Sequence, residues 1–148
     1  MPSHFDRYKS NHSAEKIFEI VKDVKSYPEF LPWVGGARIS NEQENSFLAE
    51  LIIKFKNLSH GYTSKVTYIE PNDLNSNYEV IVEIVKGPFE HLNTHWIIRP
   101  IDELKSEVIF ELDFKFKSLI FEKMIGVLFE AATVKMTKAF EKRADEIS

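Results

Sequence analysis

The feature of this 148-residue chain that most limits its fold is a run of two-residue alternations. Apolar side chains occupy every second position, with polar ones between them, in five segments: 47–55, 62–69, 78–86, 91–99 and 108–117. Such alternation is typical of half-buried strands in an antiparallel sheet, with one dry and one wet face. Turn-forming residues separate the segments, which predicts strands paired in sequence order. A less regular segment at 37–41 adds a strand, and the ambiguous alternation at 4–10 leaves a further one open, so we expect six or seven.

A long helix follows the strands. Residues 118–146 have helical apolar spacing, and at 1.5 Å per residue they would span roughly 43 Å. The predicted apolar stripe consists of Phe121, Met124, Ile125, Leu128, Ala131, Ala132, Ala139 and Phe140. The first half is also apolar outside that stripe. A helix that is apolar around most of its girth is enclosed or contacts a second apolar partner.

The N-terminal region predicts two short helices. In the first, Ser13 is an N-cap candidate, and apolar residues recur at helical spacing between Ile17 and Val24. The second is one turn, residues 28–31, which Pro28 suits as a first position and which Pro32 ends. This turn lies in "SYPEFLPWVGG", and it fixes the direction of Phe30, Leu31 and Trp33. These residues either complete the core as a cap or form a gate through which an apolar ligand enters.

One dry sheet face and one long apolar helix must cover each other, which predicts a single α+β domain over residues 1–148. The sheet would wrap around the C-terminal helix and leave room for a gap. The chain contains 12 Phe, 5 Tyr and 2 Trp. Aromatic walls with a few hydroxyl groups suit a small-molecule site, although the same residues could simply fill a core.

Composition excludes several classes of function. The formal charge of −4 argues against nucleic acid as the main partner, and we expect no DNA binding. The chain has no cysteine, so disulfide and thiol chemistry are excluded. Its N-terminus shows no signal or transit pattern, and no uncharged apolar run approaches the ~18 residues of a spanning helix. We therefore predict a cytoplasmic protein whose membrane contact is peripheral.

The polar residues of the strands do not assemble a catalytic or metal site. His91 and His95 lie on the wet face of one strand, where four residues separate them by roughly 13 Å. Glu111 and Asp113 alternate with inward phenylalanines and read as a solvated face. No phosphate-binding loop or nucleophile elbow is present. We therefore expect no enzymatic activity, no metal and no cofactor.

Five lysines lie on the outward positions of three strands: Lys54, Lys56, Lys65, Lys115 and Lys117. If these faces align, the lysines would form a positive patch for anionic lipid or ribosomal RNA. A scatter of charges over an ordinary surface is the simpler interpretation.

Four stretches together resemble the coenzyme Q-binding, START-like family, which belongs to the polyketide cyclase and lipid-transfer superfamily. They are "DVKSYPEFLPW", "GPFEHLNTHW", "LDFKFKS" and "AFEKRA", in that order from about Val24 to Ala144. The family commonly carries a cysteine where this chain has Val34. The resemblance implies a helix-grip fold, in which the sheet grips the long helix.

The resemblance also implies function. Mitochondrial members are similar to carriers of ubiquinone that support respiratory electron transport. Bacterial members are labelled ribosome association toxins, which bind the large ribosomal subunit and block subunit joining. The expectation is therefore a non-enzymatic protein that binds a polyprenyl quinone, ubiquinone or a similar lipid. The alternative is a translation regulator, and a cyclase-like enzyme is a third, weaker option.

The ligand would lie between the sheet and the C-terminal helix. Ser64 and Thr94 are inward polar positions and candidate donors to a quinone carbonyl, although either could instead bond to a neighbouring backbone group. The candidate ligand-binding residues are Phe30, Leu31, Trp33, Phe55, Tyr62, Ser64, Thr94, Trp96, Phe114, Phe116, Phe121, Met124 and Leu128.

Overall fold

The computed structural model describes residues 3–55, 58–73 and 76–147, except for the side chains of Phe55 and Leu58. In these residues the strands are β1 (Ser3–Ser10), β2 (Val34–Ser40), β3 (Ser46–Phe55), β4 (Leu58–Ile69), β5 (Tyr78–Lys86), β6 (Phe89–Pro100) and β7 (Ser106–Phe116). The helices are α1 (Ala14–Lys22), a 3₁₀ helix (Val24–Glu29) and α2 (Leu119–Glu146). The predicted α+β helix-grip fold, with two short N-terminal helices and a long C-terminal one, is confirmed.

All seven strands form one antiparallel sheet in the order β1-β7-β6-β5-β4-β3-β2. Strands β2 to β7 therefore form a meander, as the successive alternations predict. The ambiguous N-terminal segment is the seventh strand. It pairs with β7 along its whole length, from Ser3 opposite Asp113 to Ser10 opposite Ser106. Its inner face is polar, with Asp6 and Ser10 turned inward and Phe5 exposed, which explains why its alternation was hard to interpret.

The first helix begins as expected. The Ser13 hydroxyl accepts a hydrogen bond from the Lys16 amide at 3.2 Å, which satisfies one of the free amides of the first turn. The apolar stripe of α1 is buried against the sheet through Ile17, Phe18 and Val21. Phe18 contacts the ring of Tyr78 on β5 at 4.9 Å between centroids.

The second helix begins earlier than predicted. It is a 3₁₀ helix over Val24–Glu29 that contains Pro28, and the chain turns again at Leu31. Asp23 starts it: its carbonyl accepts from the Ser26 amide at 3.1 Å, and its carboxylate accepts from the Ser26 hydroxyl at 2.7 Å. The turn predicted at 28–31 is present at the end of this helix, where the Leu31 amide donates to the Tyr27 carbonyl at 2.9 Å, but the helix begins four residues before Pro28.

The dry face of the sheet forms most of the core, and the inward residues predicted for β3 to β7 are confirmed wherever their side chains are described. Phe47, Val66, Val80, Ile98 and Phe110 are all buried there. On β6 and β7, Trp96 and Phe110 face each other in register, and their rings lie 4.5 Å apart.

The second layer is α2, and its buried stripe is rotated from the predicted one. The inward residues, spaced by three or four, are Phe121, Ile125, Phe129, Ala132, Thr133, Met136, Thr137, Phe140 and Ala144. Met124 and Ala131, which were predicted to face inward, are exposed. The error arose because the first half is apolar on several sides, so spacing alone does not fix which side faces the sheet.

An ion-pair network holds the edge strand β1 to the sheet. The carboxylate of Glu107 on β7 accepts from Arg7 on β1 at 3.0 Å and from Arg99 on β6 at 2.8 Å. These two hydrogen bonds to arginines lower the pKa of Glu107 to about 2. The network thus joins three neighbouring strands across the outer face.

Candidate functional site

A cavity of about 90 Å³ lies between the dry face of the sheet and α2. Five strands contribute its floor, and the 3₁₀ helix and the residues after it close one end. The wall residues on the sheet are Ala49, Leu51, Ile53, Tyr62, Ser64, Val66, Val80, Val82, Leu92, Thr94, Trp96, Phe110 and Leu112. The helices, the connection after the 3₁₀ helix and the first residue of β2 contribute Val24, Tyr27, Leu31, Trp33, Val34, Phe129, Ala132, Thr133, Met136 and Phe140.

The wall carries five residues with a hydroxyl group. Tyr27 donates to the carbonyl of Val21, and Thr133 donates to the carbonyl of Glu130 at 2.7 Å. Thr94 is half-buried on β6. The Ser64 side chain is fully buried, and its hydroxyl has no hydrogen-bond partner among the described residues. Among the described wall residues, Ser64 is thus the one with a fully buried side-chain polar atom that lacks a hydrogen-bond partner.

Burial makes the tyrosines of the wall poor acids. It raises the pKa of Tyr62 well above its ordinary value, and it does the same for Tyr27. Both phenols stay neutral at physiological pH. The described wall contains no Asp, Glu, Lys, Arg or His, so no charged side chain faces the cavity.

Gly87 sets the position of one wall residue. Its φ of +151° is one that other residues rarely adopt. A Cβ at Gly87 would lie 2.5 Å from the Cβ of Tyr62, so only glycine allows this approach. The β4–β5 register shifts at Thr63 and Ser64, next to this contact. The Tyr62 and Ser64 part of the wall therefore depends on a residue outside it.

Six of the candidate ligand-binding residues meet at the cavity: Leu31, Trp33, Tyr62, Ser64, Thr94 and Trp96. The α2 wall residues Phe129, Ala132, Thr133 and Met136 were missed, because the helical stripe was set in the wrong rotation. Tyr27 was missed because the helical turn was placed after it.

The other candidates lie elsewhere. Phe114 and Phe116 pack with Phe89 and Phe129 in a ring cluster under the start of α2, with Phe89 and Phe116 4.8 Å apart. Phe121 contacts the His60 ring at 4.9 Å.

Three candidates remain. Phe30 contacts the Phe140 ring at 5.1 Å and borders an open groove outside the cavity. Met124 is exposed and Leu128 half-buried on α2. The side chain of Phe55 lies outside the described residues.

The C-terminal half of α2, residues 133–146, is joined to the rest of the protein by polar contacts; we call it the anchored half. Thr137 donates to Asp6, and Glu141 accepts from the Ser10 hydroxyl at 2.7 Å. Asp145 lies 2.6 Å from the ring of His12. A fourth contact joins Arg143 to Glu29 at 2.8 Å. The Phe140 ring adds edge contacts with Tyr27 and Trp96 at 5.3 and 4.8 Å.

The N-terminal half of α2, residues 119–131, is different; we call it the apolar half. Inward, it packs through Phe121, Ile125 and Phe129. Outward, it exposes Leu119 (72%), Ile120 (70%), Met124 (47%) and Val127 (76%). At 100° per residue, the last three of these and Ala131 lie on one side of the helix. This half carries an apolar stripe that the described chain leaves uncovered.

The outer face of the sheet carries mixed charge. His95 lies 2.7 Å from Glu79, and His91 lies 3.4 Å from Asp113, so the two histidines face different carboxylates. Lys115 pairs with Glu90 at 3.1 Å, and Lys65 is opposite Glu83 on β5. Lys65 and Lys115 therefore have acidic neighbours, which reduces the positive charge of this face; Lys56 lies outside the described residues.

A search of the described residues for a helix both long and apolar enough to cross a bilayer finds none.

The fold and its internal cavity define a helix-grip domain of the START type. The family model described as "Polyketide cyclase / dehydrase and lipid transport" matches residues 10–141, and the chain belongs to that family. It is 41% identical over 136 residues to a Rickettsia prowazekii protein named ribosome association toxin RatA, covering 92% of this chain and 91% of that one. It is also 28% identical to the mitochondrial coenzyme Q-binding protein COQ10 of Drosophila melanogaster, covering 87% of this chain and 52% of that one.

Solved structures confirm the fold. An aromatase/cyclase from a Streptomyces species matches with a TM-score of 0.80 at 14% identity, over 97% of this chain and 93% of that one. A START superfamily protein from Mycobacterium smegmatis matches with a TM-score of 0.77 at 18% identity, over 99% of each chain. These neighbours include an enzyme, whereas the two relatives above are named as a toxin and a binding protein.

Proposed function

We propose that the protein is a non-catalytic binder of a polyprenyl quinone, such as ubiquinone, or of a similar lipid. The observation that carries the proposal is the apolar cavity between sheet and α2, with the unpartnered hydroxyl of Ser64 in its wall. Apolar walls with few polar groups are typical of ligand sites. The family's description includes lipid transport, and one relative is named as a coenzyme Q-binding protein.

The size of the cavity sets a condition on binding. Its volume of about 90 Å³ is less than the roughly 150 Å³ of an apolar protein cavity that admits benzene. A substituted ring therefore enters only if part of the wall moves. The apolar half of α2 is the candidate, because it is held by side-chain packing alone among the described contacts, whereas the anchored half is also held by polar bonds. The tail would then leave past Phe129.

The absence of acid–base groups in the described wall supports a non-catalytic role. Proton transfer near neutral pH uses groups that titrate near that pH. The wall offers tyrosines with raised pKa values, and serine and threonine with no neighbouring base in the wall. Binding itself needs no such group, since each buried CH₂ contributes about 0.8 kcal/mol.

A lipid carrier must exchange its ligand with a membrane, and we propose that it does so through peripheral contact at the inner membrane from the cytoplasmic side. The exposed stripe of the apolar half supports this contact. Helices with one apolar and one basic side bind in the plane of an interface. Lys123 and Lys135 lie beside the stripe on α2 and suit an anionic lipid surface.

Tryptophan fluorescence tests the binding proposal directly. The chain has two tryptophans, Trp33 and Trp96, and both line the cavity. A quinone with a short isoprenoid tail should quench their emission with a saturable curve. Protein purified from quinone-producing bacteria should also release quinone into organic solvent. No saturable quenching and no extracted lipid would overturn the proposal.

Adjacent alanines on α2 give a matched pair of variants. Ala132 is buried in the cavity wall, whereas Ala131 points to solvent. Ala132→Leu places a larger side chain in the cavity, reduces its free volume and should weaken quinone binding at least tenfold. Ala131→Leu adds the same side-chain volume on the solvent side of α2 and should leave quinone binding unchanged. Equal effects of the two substitutions would place the quinone elsewhere. Thermal unfolding of each variant checks that its fold is intact.

The second candidate is a translation regulator that acts on the large ribosomal subunit. The observation in its favour is the 41% identity to a protein named ribosome association toxin. The mixed charge of the outer sheet face gives it no obvious RNA-binding patch among the described residues. Excess protein added to separated subunits, followed by sedimentation, tests it: subunits that still join normally would exclude this function. Repeating the assay with Ala132→Leu shows whether the cavity takes part.

A further inference from the structure

We infer that Ser64 recognises the polar end of the ligand and that this end is an uncharged oxygen group. The inference rests on the proposed function, since it describes what the cavity selects. It narrows the ligand from lipids in general to neutral ones, such as a quinone, a quinol or an alcohol. Lipids that would enter with a carboxylate or phosphate first are excluded.

Two buried hydroxyls of the described residues, those of Ser64 and Tyr8, have no hydrogen-bond partner, and of these two only Ser64 lines the cavity. The buried polar or charged residues of the described chain are Ser10, Ser64, Ser106, Glu107, Thr133 and Thr137. Five of the six have a bonding partner: Ser106, for example, donates to the carbonyl of His12 at 2.8 Å. Ser64 is the exception, at 0% exposure. Because an unpaired buried hydroxyl costs free energy, its presence here needs another explanation than stability.

Packing does not require a serine at this position. Ser64 lies opposite Ala49 on β3 and Ile84 on β5, and its next inward neighbour on β4 is Val66. An alanine would occupy nearly the same space without a polar atom to satisfy. The hydroxyl therefore lowers stability slightly unless a ligand bonds to it. A small loss of stability in the absence of ligand is expected of a residue whose role is to bond to that ligand.

The charge of the wall limits the chemistry of the ligand end. No charged side chain lines the described cavity, so a carboxylate, phosphate or ammonium would be buried without a partner. A neutral oxygen has no such penalty. A serine hydroxyl donates to a carbonyl and accepts from a hydroxyl. The same residue can thus bind both the oxidised and the reduced form of a quinone head group.

Thr94 is the natural control. It also lines the cavity, but it is half-buried and lies on β6, two strands away from Ser64. Thr94→Val removes a hydroxyl from the same cavity with little change of volume. If any wall hydroxyl served equally, Ser64→Ala and Thr94→Val would behave alike.

Isothermal titration calorimetry with three probes tests the inference. The probes are a ubiquinone with one isoprenoid unit, an isoprenyl benzene that lacks the ring oxygens, and a fatty acid of similar length. The wild type should bind the quinone most tightly. Ser64→Ala should weaken quinone binding about five- to tenfold, as expected for one hydrogen bond. Its affinity for the isoprenyl benzene should not fall, and Thr94→Val should lose clearly less affinity for the quinone than Ser64→Ala does.

Thermal unfolding supplies a second readout. Without added ligand, Ser64→Ala should melt at the same temperature as the wild type or higher, and the quinone should raise its midpoint less. A clearly lower midpoint for Ser64→Ala would mean that the hydroxyl is structural, and would overturn the inference.

The outcomes separate the two proposals. If the wild type binds none of the probes, the proposed function fails. If the wild type binds the quinone and Ser64→Ala binds it equally well, lipid binding stands and the role of Ser64 is wrong. Tighter binding of the fatty acid than of the quinone would overturn the neutral-ligand part. Should Ser64→Ala fail to fold, Ser64→Cys, whose thiol is a weaker donor, should show the same loss in smaller measure.

Discussion

The two halves of α2 cover the same sheet but are held in different ways. The anchored half combines the Phe140 ring contacts with polar links to Asp6, Ser10, the Asn11 amide, His12 and Glu29. The apolar half packs through apolar side chains alone among the described contacts and exposes a second apolar surface to solvent. A helix built in this way can move at one end without detaching at the other. In one helix, therefore, the anchored half keeps the fold rigid, and the apolar half is the part that can open the cavity to a ligand.

The largest effect should come from the anchored half. Phe140 is fully buried among the rings of Tyr27, Phe30 and Trp96. Phe140→Ala should lower the free energy of unfolding by about 3–5 kcal/mol, as cavity-forming substitutions of buried Phe do. Phe121→Ala, in the half-buried start of α2, should cost clearly less, about 1–2 kcal/mol. Urea denaturation measures both, and equal losses would remove the proposed contrast.

Hydrogen exchange tests the same contrast without a substitution. Amides of residues 123–131 should exchange at least tenfold faster than those of residues 136–144, because local opening needs less free energy where fewer contacts hold the helix. Binding of a short-tail quinone should slow exchange in the first segment. Uniform protection along α2 would show that the helix moves as one body.

Removing one polar link should have a moderate effect. Thr137→Val keeps the shape of the side chain but leaves an oxygen of the half-buried Asp6 without its donor. We expect a loss of about 1–2 kcal/mol in the free energy of unfolding. Val134→Thr makes the reverse change at an exposed position of the same half, and should alter stability by less than about 0.5 kcal/mol. A neutral Thr137→Val would mean that the link adds nothing.

Acid should loosen the strand to which the anchored half is bonded. The two arginines hold the pKa of Glu107 near 2, against an ordinary value of 4.5. Its contribution to stability is therefore complete above about pH 4.5 and is lost as the pH falls toward 2. Melting midpoints measured across this range should fall less steeply for Glu107→Gln than for the wild type. Parallel curves would contradict the role of the network.

The smallest effect on stability should come from the outer stripe. Val127→Ser changes an exposed position of the apolar half and should alter the free energy of unfolding by less than about 0.5 kcal/mol. It should nevertheless reduce cosedimentation with anionic lipid vesicles severalfold, since it removes apolar surface from the interface. Ile69→Ser, at an exposed position on β4, is the matched control. Equal vesicle binding by wild type and Val127→Ser would exclude contact through this stripe.

The sequence was most informative where the side-chain period is unambiguous. Each alternation from Phe47 to Phe116 became a strand with the expected inner face, because a period of two allows only two orientations and charge chooses between them. Ser64, Thr94 and Trp96 were therefore placed correctly. The family resemblance added that the sheet grips the C-terminal helix, which the spacing of side chains within one segment does not show.

The features that the sequence did not predict depend on the rotation of α2 about its axis or on contacts between residues far apart in the chain. A helix that is apolar on several sides has many acceptable rotations, so Met124 and Leu128 were chosen where Phe129 and Met136 line the cavity. The links from Asp6 and His12 to α2 join residues more than 130 apart in sequence. The unpaired state of Ser64 likewise depends on what the neighbouring strands and α2 bring near it.

Gly87 has a consequence for how variants of this protein are interpreted. It touches no ligand and lies outside the cavity wall, yet its missing Cβ is what lets Tyr62 stand where it does. A random mutagenesis screen for lost ligand capture should therefore recover changes at position 87, and a survey of wall residues would misread them as damage at a distant turn. Tyr62→Phe and Tyr62→Leu keep the Cβ that a side chain at position 87 would meet, so neither should restore capture. Such a screen would therefore measure how closely this turn must approach β4 to shape the cavity.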